Sequence, residues 1–285
     1  MQAWLRDSGL RPLILRATLR LMDGEFFFRQ LDDDLFEATH WTRGPWSAEH
    51  QHGGPPSALV AGRLEEMAGD QFRVSRIAVE ITRPVSIGKL RLERSIRRDG
   101  RTVKALVGQL FDDKGKLVLS AEALAFARTD LDLEEGQPPM DEGLPEDSLP
   151  VQFPFFDAQP GYAAATELRF ARGAFGQGDV MAWIRMRGSL LEGAEPSGLE
   201  RVVVAADSGN GVSGRIDPFA YTFVNPDLTV TLHQQAEGEW IGLAARTDFD
   251  EGGAGLADAR LYDSRGPIGR GVQTLLIRKR DKGRA

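Results

Sequence analysis

The feature that most constrains this chain is an internal repeat. Val79-Glu80-Ile81-Thr82-Arg83 resembles Val230-Thr231-Leu232-His233-Gln234. Leu110-Phe111-Asp112-Asp113-Lys114-Gly115-Lys116-Leu117 resembles Leu261-Tyr262-Asp263-Ser264-Arg265-Gly266-Pro267-Ile268. Both pairs of anchors lie 151 residues apart, with no gap between them, and Leu90 and Leu92 fall on Ile241 and Leu243 in the same frame. A constant frame carried across a turn that ends in Gly marks two copies of one supersecondary unit.

Each copy reads as antiparallel sheet. Ile77, Val79 and Ile81 alternate with polar residues, as do Leu90 and Leu92, then Val103, Ala105 and Val107. A period of two is that of a strand with one buried face. Asp112-Asp113-Lys114-Gly115 is a hairpin turn whose Gly can take positive φ. Leu117, Leu119, Ala121, Ala123, Ala125 and Ala127 line one face of the next strand. The second copy follows suit: Val230 and Leu232, then 240–245, 254–262, the turn Asp263-Ser264-Arg265-Gly266, and 268–278. A helix precedes each meander. Pro55-Pro56-Ser57 opens one that carries Leu59, Val60, Leu64 and Met67; Ser197-Gly198-Leu199-Glu200 opens another over 199–207, with Val202, Val203 and Ala206 at helical spacing. A helix wrapped by a curved antiparallel sheet buries its apolar face on all sides. Two such units can join their sheets edge to edge and remove an exposed edge. The fold class is therefore α+β.

The remaining composition sets limits. The chain has 285 residues, enough for two domains of roughly 130 residues. Apolar residues at 41% and charged residues at 27% suit a globular protein. With Cys at 0 there is no disulfide scaffold, thiolate zinc site, iron–sulfur cluster or Cys nucleophile. A net charge of −7 argues against a nucleic-acid partner, which needs a basic face. No run of eighteen apolar residues spans a membrane. Residues 1–24, rich in Leu and Arg, lack the uninterrupted apolar core of a secretory signal and are read as an extension of a cytoplasmic protein. Residues 131–160 are rich in Pro, Asp, Glu and Gly and are read as a linker. The expected organisation is an extension (1–24), a first unit (25–130), the linker (131–160) and a second unit (161–285).

Three segments carry a resemblance: Gly44-Pro45-Trp46 through His52-Gly53-Gly54-Pro55-Pro56-Ser57-Ala58-Leu59; Ala205-Ala206-Asp207-Ser208; and Asn225-Pro226-Asp227-Leu228-Thr229-Val230-Thr231-Leu232-His233 with Gly271-Val272-Gln273. In order and spacing, over residues 25–280, they resemble the double-hotdog acyl-CoA thioesterases of the bacterial type II group. The resemblance implies two tandem hotdog units, an acyl-CoA substrate, no cofactor, and a homodimer or higher homo-oligomer. It also implies that Asp207 and Gln273 hold the catalytic aspartate and glutamine positions. The family's hydroxyl residue sits two positions before the strand's Asp, where this chain has Asn225. Thr229, two positions after that Asp, also offers a hydroxyl, and strand alternation would put it on the same side as Asn225. The family's frequent His after that Asp is Leu228 here.

Thioester hydrolysis needs a positioned water, a base and charge stabilisation at the carbonyl oxygen. Asp207 is the candidate base. The carboxamide of Gln273 both donates and accepts, so it can orient the water, and Thr229 or Asn225 supplies a third contact. His52, Gly53 and Gly54 are candidate substrate-binding residues, with the helix N-terminus they open turned towards the oxyanion. In the 151-residue frame Gln273 falls on Glu122, so at most one working site per chain is expected. Two other readings use the same fold: an acyl-CoA-binding protein without turnover, motivated by Asn225, and a hotdog hydratase.

Other signals point elsewhere with less support. Gly209-Asn210-Gly211-Val212-Ser213-Gly214 fits G-x-G-x-x-G, but Asp217-Pro218 and strand-like aromatics follow it rather than a helix, so it reads as a glycine-rich turn. Glu49-His50-Gln51-His52 lacks further spaced ligands in a chain with 4 His, and no metal site is assigned. Arg94, Arg97, Arg98, Arg101 and Lys104 read as a solvated hairpin able to meet coenzyme A phosphates.

Overall fold

The computed structural model describes residues 25–132, 142–154 and 160–280; the extension expected at 1–24 lies outside the described residues. In chain order the strands are β1 (Phe26–Asp32), β2 (Leu35–Ala38), β3 (Phe72–Ile81), β4 (Lys89–Asp99), β5 (Val103–Phe111), β6 (Leu117–Ala127), β7 (Leu149–Val151), β8 (Thr166–Arg172), β9 (Asp179–Met186), β10 (Ser189–Leu191), β11 (Tyr221–Val224), β12 (Asp227–Leu232), β13 (Ile241–Phe249), β14 (Ala254–Asp263) and β15 (Gly266–Lys279). The helices are α1 (Gly54–Ala68), α2 (Tyr162–Ala165), α3 (Gly198–Ala206) and α4 (Gly209–Ser213). The strands make one continuous sheet in the order β10-β1-β2-β4-β5-β6-β3-β12-β15-β14-β13-β9-β8-β7, with β11 also on β15.

The repeat is visible in the hydrogen-bond register at the centre of this sheet. β3 and β12 pair antiparallel, with Ile77 opposite Val230 and Val79 opposite Leu228. Val230 is the repeat equivalent of Val79, and Leu228 that of Ile77. The pairing is therefore reciprocal and defines a local two-fold. Its axis passes between Ala78 and Thr229, which are equivalents of one another and pair directly. Burial of Ile77, Val79, Leu228 and Val230 ties the two units into one core.

The frame breaks by one residue beyond the second hairpin. Val79 pairs with Ala121 but Val230 pairs with Gly271, so the separation in the last strand is 150. The cause is the turn: Phe111 faces Leu117 across the first hairpin, whereas Tyr262 faces Pro267 across the second. The counterpart of Gln273 is thus Ala123, buried at 1% exposure, and not Glu122. A one-residue slip sends a strand side chain to the opposite face. Glu122 accordingly lies on the outer face, where its carboxylate takes a two-pronged contact from Arg97 at 2.8 and 2.9 Å.

A second irregularity is shared by both copies. β11 and β12 together match β3, and they are separated at Asn225-Pro226 because proline brings no N–H to the ladder. In the first copy the same place carries a register shift between Val74 and Arg76.

The helices lie inside the sheet and pack on each other. Gly54 of α1 meets Val204 near the end of α3, and Gly62 meets Glu200 near its start, so the two run antiparallel. A Cβ on Gly62 would collide with the Glu200 side chain, and glycine there sets how closely the axes approach. α3 starts with a capping box: the Ser197 hydroxyl accepts from the Glu200 N–H, and the Glu200 carboxylate accepts from the Ser197 N–H.

Two segments differ from the sequence reading. Gly209–Ser213 is the short helix α4 rather than a glycine-rich turn, held by the Ser213 hydroxyl donating to the Gly209 carbonyl at 2.8 Å. The 131–160 stretch is more than a connector where it is described, since Leu149–Val151 adds β7 to the edge of the sheet on β8. At the opposite edge, β10 lies parallel on β1 with Phe26 opposite Ser189, so a strand from the second half closes the first.

Candidate active site

The site forms where the start of α1 meets the end of α3. Asp207 is the C-cap of α3, and its side chain is 2% exposed. His52 stands just ahead of α1, with Nδ1 2.9 Å from Asp207 Oδ2. Asn225, at the β11–β12 break, donates Nδ2–H to Asp207 Oδ1 at 2.7 Å. Gln273, on the inner face of β15, donates Nε2–H to Asp207 Oδ1 at 3.2 Å and to the Asp207 main-chain carbonyl at 3.0 Å. Its Oε1 accepts the N–H of Asn210, on α4, at 3.0 Å. The Gln273 amide nitrogen thereby engages Asp207 twice, so in this state Gln273 fixes the carboxylate.

Burial pushes the Asp207 carboxyl upward, but the His52 ring and its hydrogen bond, the Asn225 amide and the Gly54 N–H outweigh it. The group is held below the ordinary carboxylate range. The backbone of α1 reaches this carboxylate only because two glycines lack Cβ. A Cβ on Gly53 would sit 3.0 Å from Asp207 Oδ2, and one on Gly54 would sit 2.8 Å from the Val204 carbonyl. The start of α1 carries fewer N–H groups than an ordinary helix, because Pro55 and Pro56 contribute none.

The seven residues expected at the site divide accordingly. The fold brings together Asp207, Gln273, Asn225, His52, Gly53 and Gly54. Thr229 is not among them. It pairs with Val272, and Gln273 is the next residue along β15, so Thr229 faces the opposite side of the sheet. Alternation does not carry from Asn225 to Thr229 because Asn225 lies outside β12, ahead of Pro226. His52, expected to meet substrate, has its imidazole on the Asp207 carboxylate. Its neighbours are tied to Ser86: the His50 backbone forms an isolated bridge with it, and the Gln51 side chain donates to its carbonyl at 2.8 Å. Among the described residues, no three metal-ligating side chains converge. The basic run is partly spent on local pairs, with Arg94 on Asp34 at 2.7 Å and Lys104 on the Ala68 carbonyl at 3.0 Å.

Tyr162 and Ser208 were not expected. Tyr162, fully buried, stacks on His52 with ring centroids 3.8 Å apart and 2° between planes. Its hydroxyl meets Ser208 Oγ at 2.7 Å and donates to the Val204 carbonyl at 3.0 Å. The only sequence signal was the adjacency of Ser208 to Asp207; Tyr162 follows the linker-like stretch, where composition hides it. Beside Gln273, and on the same face of β15, Leu275 and Ile277 join Phe223 and Ala257 in a separate apolar cluster. The half-exposed Trp46 meets Phe223 edge-on, with centroids 5.2 Å apart.

Two helix-in-sheet units joined about a local two-fold, with Asp207 and its partners where their helices cross, make this a double hotdog protein. The chain belongs to the acyl-CoA thioesterase family: it matches the N-terminal domain of acyl-CoA thioesterases over 42–126 and the C-terminal domain over 142–277. Among curated proteins none matches it. Solved structures share the fold at low identity. A protein assigned as a thioesterase II from Thermobifida fusca YX superposes with a TM-score of 0.71 at 16% identity, covering 88% of this chain and 95% of that one. A hot dog fold protein of unknown function from Alicyclobacillus acidocaldarius gives 0.70 at 13%, covering 88% and 96%. An acyl-CoA thioesterase II, TesB2, from Mycobacterium marinum gives 0.61 at 12%, covering 89% and 96%. Among the described residues, no helix is long and apolar enough to cross a membrane.

Proposed function

We propose that this thioesterase cleaves acyl-CoA by direct attack of a water activated at Asp207, with no covalent intermediate. Asp207 takes a proton from the water, and the hydroxide adds to the thioester carbonyl carbon. The tetrahedral intermediate then expels the coenzyme A sulfur as the C–S bond breaks. The proton on Asp207 passes to the departing thiolate, leaving a free acid and coenzyme A. The observation that carries this reading is a buried carboxylate on which His52, Asn225 and Gln273 converge, each drawing it towards the charged form. The same pull makes Asp207 a weak base, so the rate must come from placement of the water rather than from basicity. Gln273 and Asn225 hold the carboxylate in place. Gly53 and Gly54 allow the substrate carbonyl a close approach to the start of α1. The strip of Phe223, Leu275 and Ile277, with Trp46 at its rim, is suited to the acyl chain.

The test is hydrolysis of acyl-CoAs of graded chain length by the wild type and Asp207→Asn. The variant keeps the shape of the site but has no base, and turnover is expected to fall by about 10³-fold or more with the fold intact. Full activity in the variant overturns the assignment. A second reading, acyl-CoA binding without turnover, draws on Asn225 standing in the family's hydroxyl position; saturable binding with no coenzyme A release by the wild type would favour it. The same proposal takes 25–130 and 161–285 as the two hotdog units, and a cytoplasmic homodimer or higher homo-oligomer as the working form.

A further inference from the structure

Tyr162 enters the site from the very start of the second unit, ahead of the strands that match the first. It opens α2, and its N–H donates to the Arg43 carbonyl at 2.9 Å. Phe27 and Phe153 also flank its ring, with centroids 6.4 and 6.5 Å away. In front of it lies the imidazole of His52 at stacking distance. The ring is packed by the aromatic cluster and held at its tip by Ser208 and the Val204 carbonyl. It therefore offers His52 a flat wall that cannot tilt. An imidazole rotating about χ2 would leave that plane, and its Nδ1 would swing off Asp207 Oδ2.

We propose that Tyr162 is a positioning residue: its aromatic face fixes the plane of His52, and through His52 it holds the Asp207 carboxylate in its working state. The inference rests on Asp207 acting as the base. The proposal uses the ring and not the phenol, whose ionisation burial pushes above the ordinary tyrosine value. The titratable groups that face one another here are Asp207 at the end of α3, His52 ahead of α1 and Tyr162 from α2, with Ser208, Asn225 and Gln273 completing the polar neighbours.

The experiment is the pH profile of kcat/KM for acyl-CoA hydrolysis by wild type, Tyr162→Phe, Tyr162→Met, His52→Gln and the double variant Tyr162→Met/His52→Gln. Loosening His52 leaves burial to dominate at Asp207, so its carboxyl titrates higher. Tyr162→Met fills the volume but removes the aromatic wall. It is expected to move the acid limb up by on the order of one pH unit and to lower kcat. Tyr162→Phe keeps the wall but releases its tip from Ser208 and the Val204 carbonyl, and is expected to move the limb by less than Tyr162→Met does. His52→Gln should move the limb in the same direction, and the double variant should move it no further. The role is overturned if Tyr162→Met lowers activity without moving the limb, or if the double variant shifts it by the sum of the single shifts. Should Tyr162→Met not fold, Tyr162→Leu, which also removes the aromatic wall, decides in its place: a wild-type limb in it overturns the proposal. Asp207→Asn in the same series separates the two claims. If it stays active, the base assignment fails; if it is inactive and the Tyr162 variants titrate like wild type, only the role of Tyr162 fails.

Discussion

At the scale of single residues, the site is a buried carboxylate whose polar partners His52, Asn225 and Gln273 favour its charge against the pull of burial. Asn225 makes the shortest of the carboxamide contacts, at 2.7 Å, and its position at a proline break lets it leave the sheet plane to reach Asp207. A hydrogen bond to a charged group is worth ~1.5–3 kcal/mol. Asn225→Ala is therefore expected to cut kcat/KM by about 10- to 100-fold at neutral pH while leaving the fold in place. Asn225→Thr, which restores a hydroxyl at the family's position, should retain more activity than alanine in the same assay. Equal losses in both would show that Asn225 contributes shape rather than a hydrogen bond.

At the scale of elements, the far end of the α1–α3 crossing carries a different arrangement. Ser197, the N-cap of α3, donates its hydroxyl hydrogen to Glu65 Oε2 of α1 at 2.6 Å. Arg63 pairs with Glu66 at 2.7 Å and stands 3.9 Å from Glu200. Burial, only partly offset by the Ser197 N–H and Arg63, pushes the Glu200 carboxyl up to about 7, and burial raises Glu65 as well. A carboxyl raised in the folded state binds its proton more tightly there than in the unfolded chain. Its contribution therefore favours folding at low pH and is lost as pH rises from about 4.5 to about 7. Glu200→Gln keeps an acceptor for the Ser197 N–H and removes the titration. Denaturant midpoints for this variant should decline less across that interval than those of the wild type. Ser197→Ala should lose ~1 kcal/mol of stability by breaking the capping box.

At the scale of the whole molecule, the two units share one core and one sheet, joined at the β3–β12 seam by Ile77, Val79, Leu228 and Val230. β10 closes the edge of the first unit with residues from the second, so neither half has its full sheet alone. We expect denaturation to be one cooperative step, with coincident transitions by circular dichroism and by the fluorescence of Trp41 in the first half and Trp183 in the second. Val230→Ala at the seam should lower the common midpoint by ~2 kcal/mol in free energy without splitting it. A split transition would show that the halves fold independently despite the seam.

Much of this was legible in residue patterns, because strand alternation, hairpin turns and helix caps are local. The frame of 151, the strand spans and the Ser197 cap came from the residue pattern itself, whereas Asp207 and Gln273 were singled out by the resemblance to a known family. Three things were not legible. The one-residue shortening at Asp263–Gly266 is invisible until Val230 is seen to pair with Gly271 rather than Val272, and it is this slip that makes Ala123 the counterpart of Gln273. Thr229 carries the right chemistry on the wrong face, since Pro226 interrupts the alternation that would have joined it to Asn225. Tyr162 and His52 meet through rings that lie 110 residues apart, a contact with no local trace. Sequence alone thus determined the elements and their duplication, which depend on each residue's own side chain and near neighbours. Register, facing and ring contact were decided only by packing, because they depend on which distant backbone a strand or helix is laid against.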